Sequence, residues 1–504
     1  MQVFSRFTVL SLAFFLPIAG DSPDFATTAR KEFNAGRFDN AAAIYGDLIK
    51  SEPENATAYY GRVRALLEAH HAAEAWQTAD LALQNVPGTA LAEAAAGMAD
   101  FRRGDLAGSE KHFLTALKIN SQSPEALSGL ARIYSTVSLF RKARDLRVRA
   151  YRFAPDDPAL ALAYANTLRG AAHIAALEKL LAVSDPASED TRRLRAHIAS
   201  DKALGDRQAK RLISPYEASK IKLFRIQDGP SRMRIRGLGL TLRLNNKQNV
   251  TLLLDTGASG IAISPRTAER AGLEILGGET TEIKGIGDKE AQSSVTYLAS
   301  HLRVGTVEFA DYPISAFRSA KDTDIDGLMG ADVFARFIVG IDFQNSELIL
   351  EPRPAAEAAV ADEPVDRLEK PAEGFHQVFR FGNHLVVPTQ VNGKRAVLFL
   401  VDSGSSANLI DTDTAREFTG VSSDSNAIVR GIQGKVNEAS RAHRISLVFA
   451  GFRQDNPDLL SISLEKMSDS IGTRMGGILG MPVLGQLKMT IDYRNGTIRF
   501  DRRT

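Results

Sequence analysis

The second half of this chain carries one pattern twice, and that duplication limits its possible folds more than any other feature. The stretch "LRLNNKQNVTLLLDTGASGIAIS" overlies "TQVNGKRAVLFLVDSGSSANLID" at a spacing of 147 residues, which carries Asp255 onto Asp402 and Gly257 onto Gly404. Further on, "DGLMGADVFARFIVGIDFQNSELIL" overlies "GGILGMPVLGQLKMTIDYRNGTIRF" at a spacing of 150, which carries Gly327 onto Gly477 and Asp342 onto Asp492. An insertion between the two blocks accounts for the changed spacing. In each copy an apolar run drives into an acid and then into a turn of small residues. A buried strand that ends in a carboxylate fixes that carboxylate in space.

From about Phe224 the texture is alternating Val, Ile, Leu, Phe and Thr punctuated by Gly and Asn, the pattern of short antiparallel strands. Asn245-Asn246-Lys247 and Asn392-Gly393-Lys394 read as matching hairpin turns, because Asn and Gly accept positive φ. Between its acid and its Gly-apolar-apolar-Gly block, each copy holds a glycine-punctuated hairpin candidate. One is Gly285-Ile286-Gly287; the other is Gly431-Ile432-Gln433-Gly434. The run Glu351 to Gly374 is rich in Pro, Ala and Glu and reads as a linker. The expected units are therefore 224–353, a linker at 354–374, and 375–503. Asp342 and Asp492 each precede an aromatic and an Asn turn and read as structural acids.

The ordered set of strand, Asp-Thr/Ser-Gly, glycine-tipped hairpin and Gly-apolar-apolar-Gly block resembles the retropepsin-like aspartic proteases. Two such lobes in one chain give the internal pseudo-twofold arrangement of the pepsin family. The resemblance implies an aspartic endopeptidase with a catalytic dyad, Asp255 and Asp402, acting on a polypeptide bound as an extended strand. Two carboxylates about 3 Å apart cannot both ionise cheaply, so they share a proton and one serves as base while the other serves as acid. By the same resemblance, Thr256 and Ser403 bond across the lobe interface, Gly257 and Gly404 allow close approach, and the two hairpins close as flaps. No tyrosine stands at the first flap tip; Tyr297 lies well past it. The lobes differ after the glycine, Ala258 against Ser405. A hydroxyl bond from Ser405 to Asp402 would make Asp402 the more readily ionised partner. Two other readings stay open: a catalytically silent peptide-binding protein on the same fold, and pairing of lobes between chains.

The first two hundred residues carry a different repeat. At intervals of 34 from Gly36, proline recurs at Pro53, Pro87 and Pro155, and small residues recur at Ala41, Ala75, Ser109 and Ala143. Small residues let paired helices approach, and proline ends the second of each pair. This period resembles the tetratricopeptide repeat, placed here at 22–209, with a docked protein or peptide partner that the sequence does not name. The expected fold is thus multidomain: an all-α tetratricopeptide-type array, then two all-β retropepsin-like lobes.

Composition narrows the function. Lys and Arg number 62 against 60 Asp and Glu, a net +2, too balanced to point to nucleic acid. No cysteine is present, which excludes disulfides, thiolate zinc sites and a cysteine nucleophile. Nine histidines show no HExxH spacing, so the motifs imply no metal and no cofactor. At the N-terminus Arg6 precedes an apolar run, Phe7 to Phe15, and then small residues to Gly20. Residues 1–20 read as a signal peptide, which places the protein in the periplasm or outside the cell. Membrane attachment follows only if that segment is left uncleaved.

Overall fold

The computed structural model describes residues 25–228, 234–283, 292–317, 325–354, 364–424, 430–431, 434–436 and 438–502. Its helical part keeps the 34-residue period closely. Second helices of successive pairs begin at Phe38, Ala72, Leu106 and Phe140, and first helices at Ala56, Ala90, Pro124 and Pro158. Each of these first helices is capped by a residue at the same period: Asn55, Thr89, Ser123 and Asp157 accept hydrogen bonds from backbone N–H groups of the first turn. Such a cap satisfies donors that the helix itself leaves free. The predicted prolines fall two residues beyond the second helices, which end at Ser51, Asn85 and Phe153. The small residues are where the pairs meet; Ala41, Ala75, Ser109 and Ala143 are fully buried. The period lapses after the ninth helix, Pro158–Ala165, and two longer helices follow, Gly170–Val183 and Glu189–Leu204.

Each duplicated segment closes into a six-stranded barrel. In lobe 1 the strand Arg234–Leu244 pairs with both Gln248–Leu254 and Gln292–Val304, and Val307–Ala316, Ile261–Ile263 and Gly327–Met329 complete the circuit. In lobe 2 the strand His384–Val391 plays the same part between Ala396–Val401 and Ser440–Phe449, with Phe452–Ile462, Leu409–Asp411 and Gly477–Leu479 closing it. The matching hairpin turns hold positive φ at Asn245 and Asn246 and at Asn392 and Gly393. Closure removes the exposed edges that a flat sheet would leave.

The lobes join through main chain. Ile338–Asp342 of lobe 1 runs antiparallel to Leu487–Asp492 of lobe 2 in a six-stranded sheet. Val339 faces Ile491 and Ile341 faces Met489. The 150-residue spacing exchanges these two pairs, so a pseudo-twofold axis passes between the lobes within one chain. Asp342 and Asp492 end these strands, each accepting from the N–H and side chain of an asparagine three residues on.

The helical array is fastened to lobe 2. The Arg102 guanidinium donates to the Ser468 carbonyl at 2.7 Å and pairs with Asp469, while Thr473 Oγ1 donates to the Phe101 carbonyl at 2.6 Å. The Phe101 ring meets Phe381 edge-on at 6.0 Å. These helices and lobe 2 share one continuous apolar core that includes Leu127, Leu130, Leu398 and Leu464. The described end of the linker is docked as well: Asp366 accepts from the N–H groups of Arg141 and Lys142, and Leu368 donates to Asn495.

Candidate active site

Why the two acids meet follows from the strands beneath them. Val250, Leu252 and Leu254 in lobe 1, and Phe399 and Val401 in lobe 2, are fully buried, so each strand is held rigidly up to its last residue. The next N–H is also tied: Asp255 donates to the Met329 carbonyl at 2.9 Å, and Asp402 to the Leu479 carbonyl at 3.0 Å. The Gly-apolar-apolar-Gly blocks therefore lie directly behind the acids. The two carboxyls end in hydrogen-bond contact with one another across the pseudo-twofold axis.

Four hydrogen bonds clamp the loops. Thr256 Oγ1 donates to the Val401 carbonyl at 2.9 Å and accepts from the Ser403 N–H at 3.0 Å. Reciprocally, Ser403 Oγ donates to the Leu254 carbonyl at 2.9 Å and accepts from the Thr256 N–H at 3.1 Å. Both side chains are buried, so each bond lost leaves a main-chain group without water to replace it. Thr256→Val strands the Ser403 N–H and the Val401 carbonyl. We expect it to cost roughly 2–6 kcal/mol, at about 1–3 kcal/mol for each buried unsatisfied group. Urea denaturation of the full chain checks this; an unchanged midpoint would contradict it.

Gly257 and Gly404 are fixed by each other's acid. A Cβ on Gly257 would lie 2.6 Å from Asp402 Cγ, and one on Gly404 would lie 2.5 Å from Asp255 Cγ. Only hydrogen leaves room for the opposite carboxyl.

Burial raises both acids above the ordinary carboxylate range. Asp402 is pushed well up, first by desolvation and then by the charge of Asp255, as expected of a pair that holds one proton between them. Asp255 is relieved by the hydrogen bond it accepts from Asp402, by the Gly257 N–H at 2.8 Å, and by nearby His384. Ser405 does not make the hydroxyl bond to Asp402 expected of it. Its hydroxyl donates to the Ala407 carbonyl at 2.8 Å, not to Asp402. What reaches Asp402 Oδ1 is the Ser405 backbone N–H at 3.0 Å, beside the Gly404 N–H at 2.8 Å. A carbonyl two residues on competes for the hydroxyl, which a comparison of side-chain types does not reveal.

Of the flap residues, Gly431 and Gly434 face one another in a short antiparallel ladder with Arg430 and Lys435. Ile432 and Gln433 lie outside the described residues, as do Gly285, Ile286 and Gly287. The strands Glu274–Ile283 and Gln292–Val304 lead to that first hairpin, their register reaching Ile283 opposite Gln292.

His384 was missed in the sequence. It opens the strand His384–Val391, and the 147-residue spacing places Gly237 at its counterpart, so one lobe alone supplies an imidazole. Burial lowers its pKa, against the pull of Asp255 and Asp332, and its Nδ1 is buried with no hydrogen-bond partner. Next to it, Asn383 Nδ2 crosses to lobe 1, donating to Ser259 Oγ at 2.8 Å and to Asp332 Oδ2 at 2.7 Å. Asp332 in turn accepts from the Gly260 N–H at 2.9 Å, which holds the Asp255 turn from behind. A protonated His384 favours the Asp255 anion, so His384→Phe should raise the pKa of the acid limb of kcat/KM and narrow the profile from below. A limb that stays fixed or falls would remove His384 from the electrostatics of the site.

The sequence model of the aspartyl protease family matches residues 240–333 and again 387–483, one match in each barrel. No curated protein matches the chain. Among solved structures, a thermophilic TPR protein of Thermus thermophilus is similar at 19% identity and a TM-score of 0.29, over 35% of this chain and 97% of that one. A tetratricopeptide repeat protein from Parabacteroides merdae is similar at 18% identity and a TM-score of 0.26, over 36% and 74%. Each of the two barrels thus matches the aspartyl protease family model, and both stand in one chain behind a helical array with a 34-residue period.

Proposed function

We propose that this chain is an exported aspartic endopeptidase that hydrolyses peptide bonds with the Asp255/Asp402 pair. The observation that carries the reading is the mutual hydrogen bond of two raised carboxyls, one from each lobe, each lying where the other lobe's glycine has no side chain. In the proposed reaction the Asp255 carboxylate takes a proton from water as its oxygen bonds to the scissile carbonyl carbon. Asp402 gives its proton to the carbonyl oxygen. The tetrahedral intermediate then breaks its C–N bond as a proton passes to the leaving amine. The substrate lies as an extended strand under the hairpins, where main-chain bonds give affinity.

Export rests on the apolar run Phe7 to Phe15. No helix among the described residues is long and apolar enough to cross a membrane. In this reading the repeats dock a protein partner on surfaces that lobe 2 does not cover. Digestion of a peptide library by the purified mature protein, with and without a statine-containing peptide, tests the activity. Cleavage blocked by statine supports it. Retained peptide without cleavage would favour the silent binding protein.

A further inference from the structure

Away from the protease lobes, three side chains at the end of the helical array converge in a way the proposed protease chemistry does not use. His173 lies on the helix Gly170–Val183, and His197 and Asp201 lie one turn apart on the helix Glu189–Leu204. One ligand atom from each falls within 4.8 Å of the other two. His173 Nε2 is 3.4 Å and His197 Nε2 is 3.5 Å from the same oxygen, Asp201 Oδ2.

Hydrogen bonding does not account for this. Those separations exceed ordinary N–H···O distances, and Asp201 Oδ2 is buried with no hydrogen-bond partner. His173 Nδ1 is 2.7 Å from the Ala165 carbonyl, so it carries the proton that it donates there. In the neutral ring Nε2 then presents a lone pair to a carboxylate lone pair. That contact is repulsive unless a second ring proton or a metal cation lies between them. A histidine oriented by a backbone carbonyl through its other nitrogen is the usual arrangement around a bound metal. The two His–Asp separations fit as well: ligands about 2.0–2.1 Å from a tetrahedral zinc ion stand about 3.3–3.4 Å apart.

We propose that His173, His197 and Asp201 bind one divalent transition-metal ion of the zinc class. Its fourth position opens toward solvent beside His197, whose side chain is half exposed. Two imidazoles and one carboxylate suit zinc better than magnesium or calcium, which prefer oxygen donors. The ion ties the tenth helix to the eleventh. The eleventh is seated on lobe 1: Ser200, adjacent to Asp201, packs against Gly277, and Arg207 just past the helix pairs with Glu274 at 3.1 Å. Both contacts fall on the strand that leads to the first hairpin, so the ion braces the wall behind it.

The test uses the untagged full chain, stripped with a chelator, dialysed and titrated with Co²⁺. One equivalent should bind with the intense visible absorption of a four-coordinate site, and Zn²⁺ should displace it. His197→Gln and His173→Ala should each weaken binding by at least about 100-fold, while Asp255→Asn leaves it unchanged. Zn²⁺ should also raise the Tm of the wild type and not that of His197→Gln. His197 is half exposed, so that variant keeps the test valid if His173→Ala fails to fold. Absence of saturable one-equivalent binding, or binding unaltered in His197→Gln, would overturn the proposal. None of these readouts depends on peptide cleavage.

Discussion

Asp255→Asn and Asp402→Asn should each lower kcat for peptide cleavage by roughly 10⁴-fold or more, and the double variant should lose little beyond either single one. Residues that act as a unit are not additive. An amide at 255 cannot accept the proton of the attacking water, and an amide at 402 cannot supply an acidic one. The remaining partner then has nothing to exchange protons with. The fold should survive, because burying the single charge of the proton-sharing pair is itself unfavourable and a neutral amide relieves it. A thermal melt beside the kinetics separates the two effects. If one single variant keeps near wild-type turnover with its fold intact, the pair does not share the work.

Gly404→Ala should also be damaging, by about 100-fold in rate, and for a steric reason. The added methyl would sit 2.5 Å from Asp255 Cγ, with the loops unable to part because four buried hydrogen bonds clamp them. Overpacking of this kind costs about 1–3 kcal/mol of stability. A displacement of the acid by about 1 Å costs a further factor of about 100 in rate. Gly257→Ala should behave alike, since its methyl meets Asp402 across the axis. Control substitutions at Gly393 or Gly382, where no neighbour lies within 4 Å of the added carbon, should spare activity. Their positive φ allows a modest loss of stability. Equal kinetics for Gly404→Ala and Gly382→Ala would contradict the packing described here.

Much of this was legible in the sequence because it is periodic. The 34-residue spacing of prolines and small residues places the helix pairs, and the caps at Asn55, Thr89, Ser123 and Asp157 repeat at the same interval, a second signal in the same register. The duplicated blocks placed the strands and both acids for the same reason: equivalent residues in two copies must have equivalent surroundings. What breaks the repeat was harder to see. His384 has a glycine as its counterpart and lies upstream of the matched block, so no comparison of the copies brings it forward. The choice by Ser405 of the Ala407 carbonyl is a rotamer decision between two nearby acceptors. The seat of the helices on lobe 2 depends on Phe101, Arg102 and Thr473, far apart in sequence and ordinary in type. His173 approaches His197 and Asp201 only because two helices fold back on each other, which spacing along the chain does not encode.

The central claim is that one chain builds one proteolytic site from its own two lobes. Titrating peptide cleavage with a tight-binding statine peptide, at protein concentrations well above its Kd, tests this directly. The structure predicts that activity falls linearly and reaches zero at one inhibitor per chain. An endpoint at one inhibitor per two chains, or no cleavage to titrate, would contradict it.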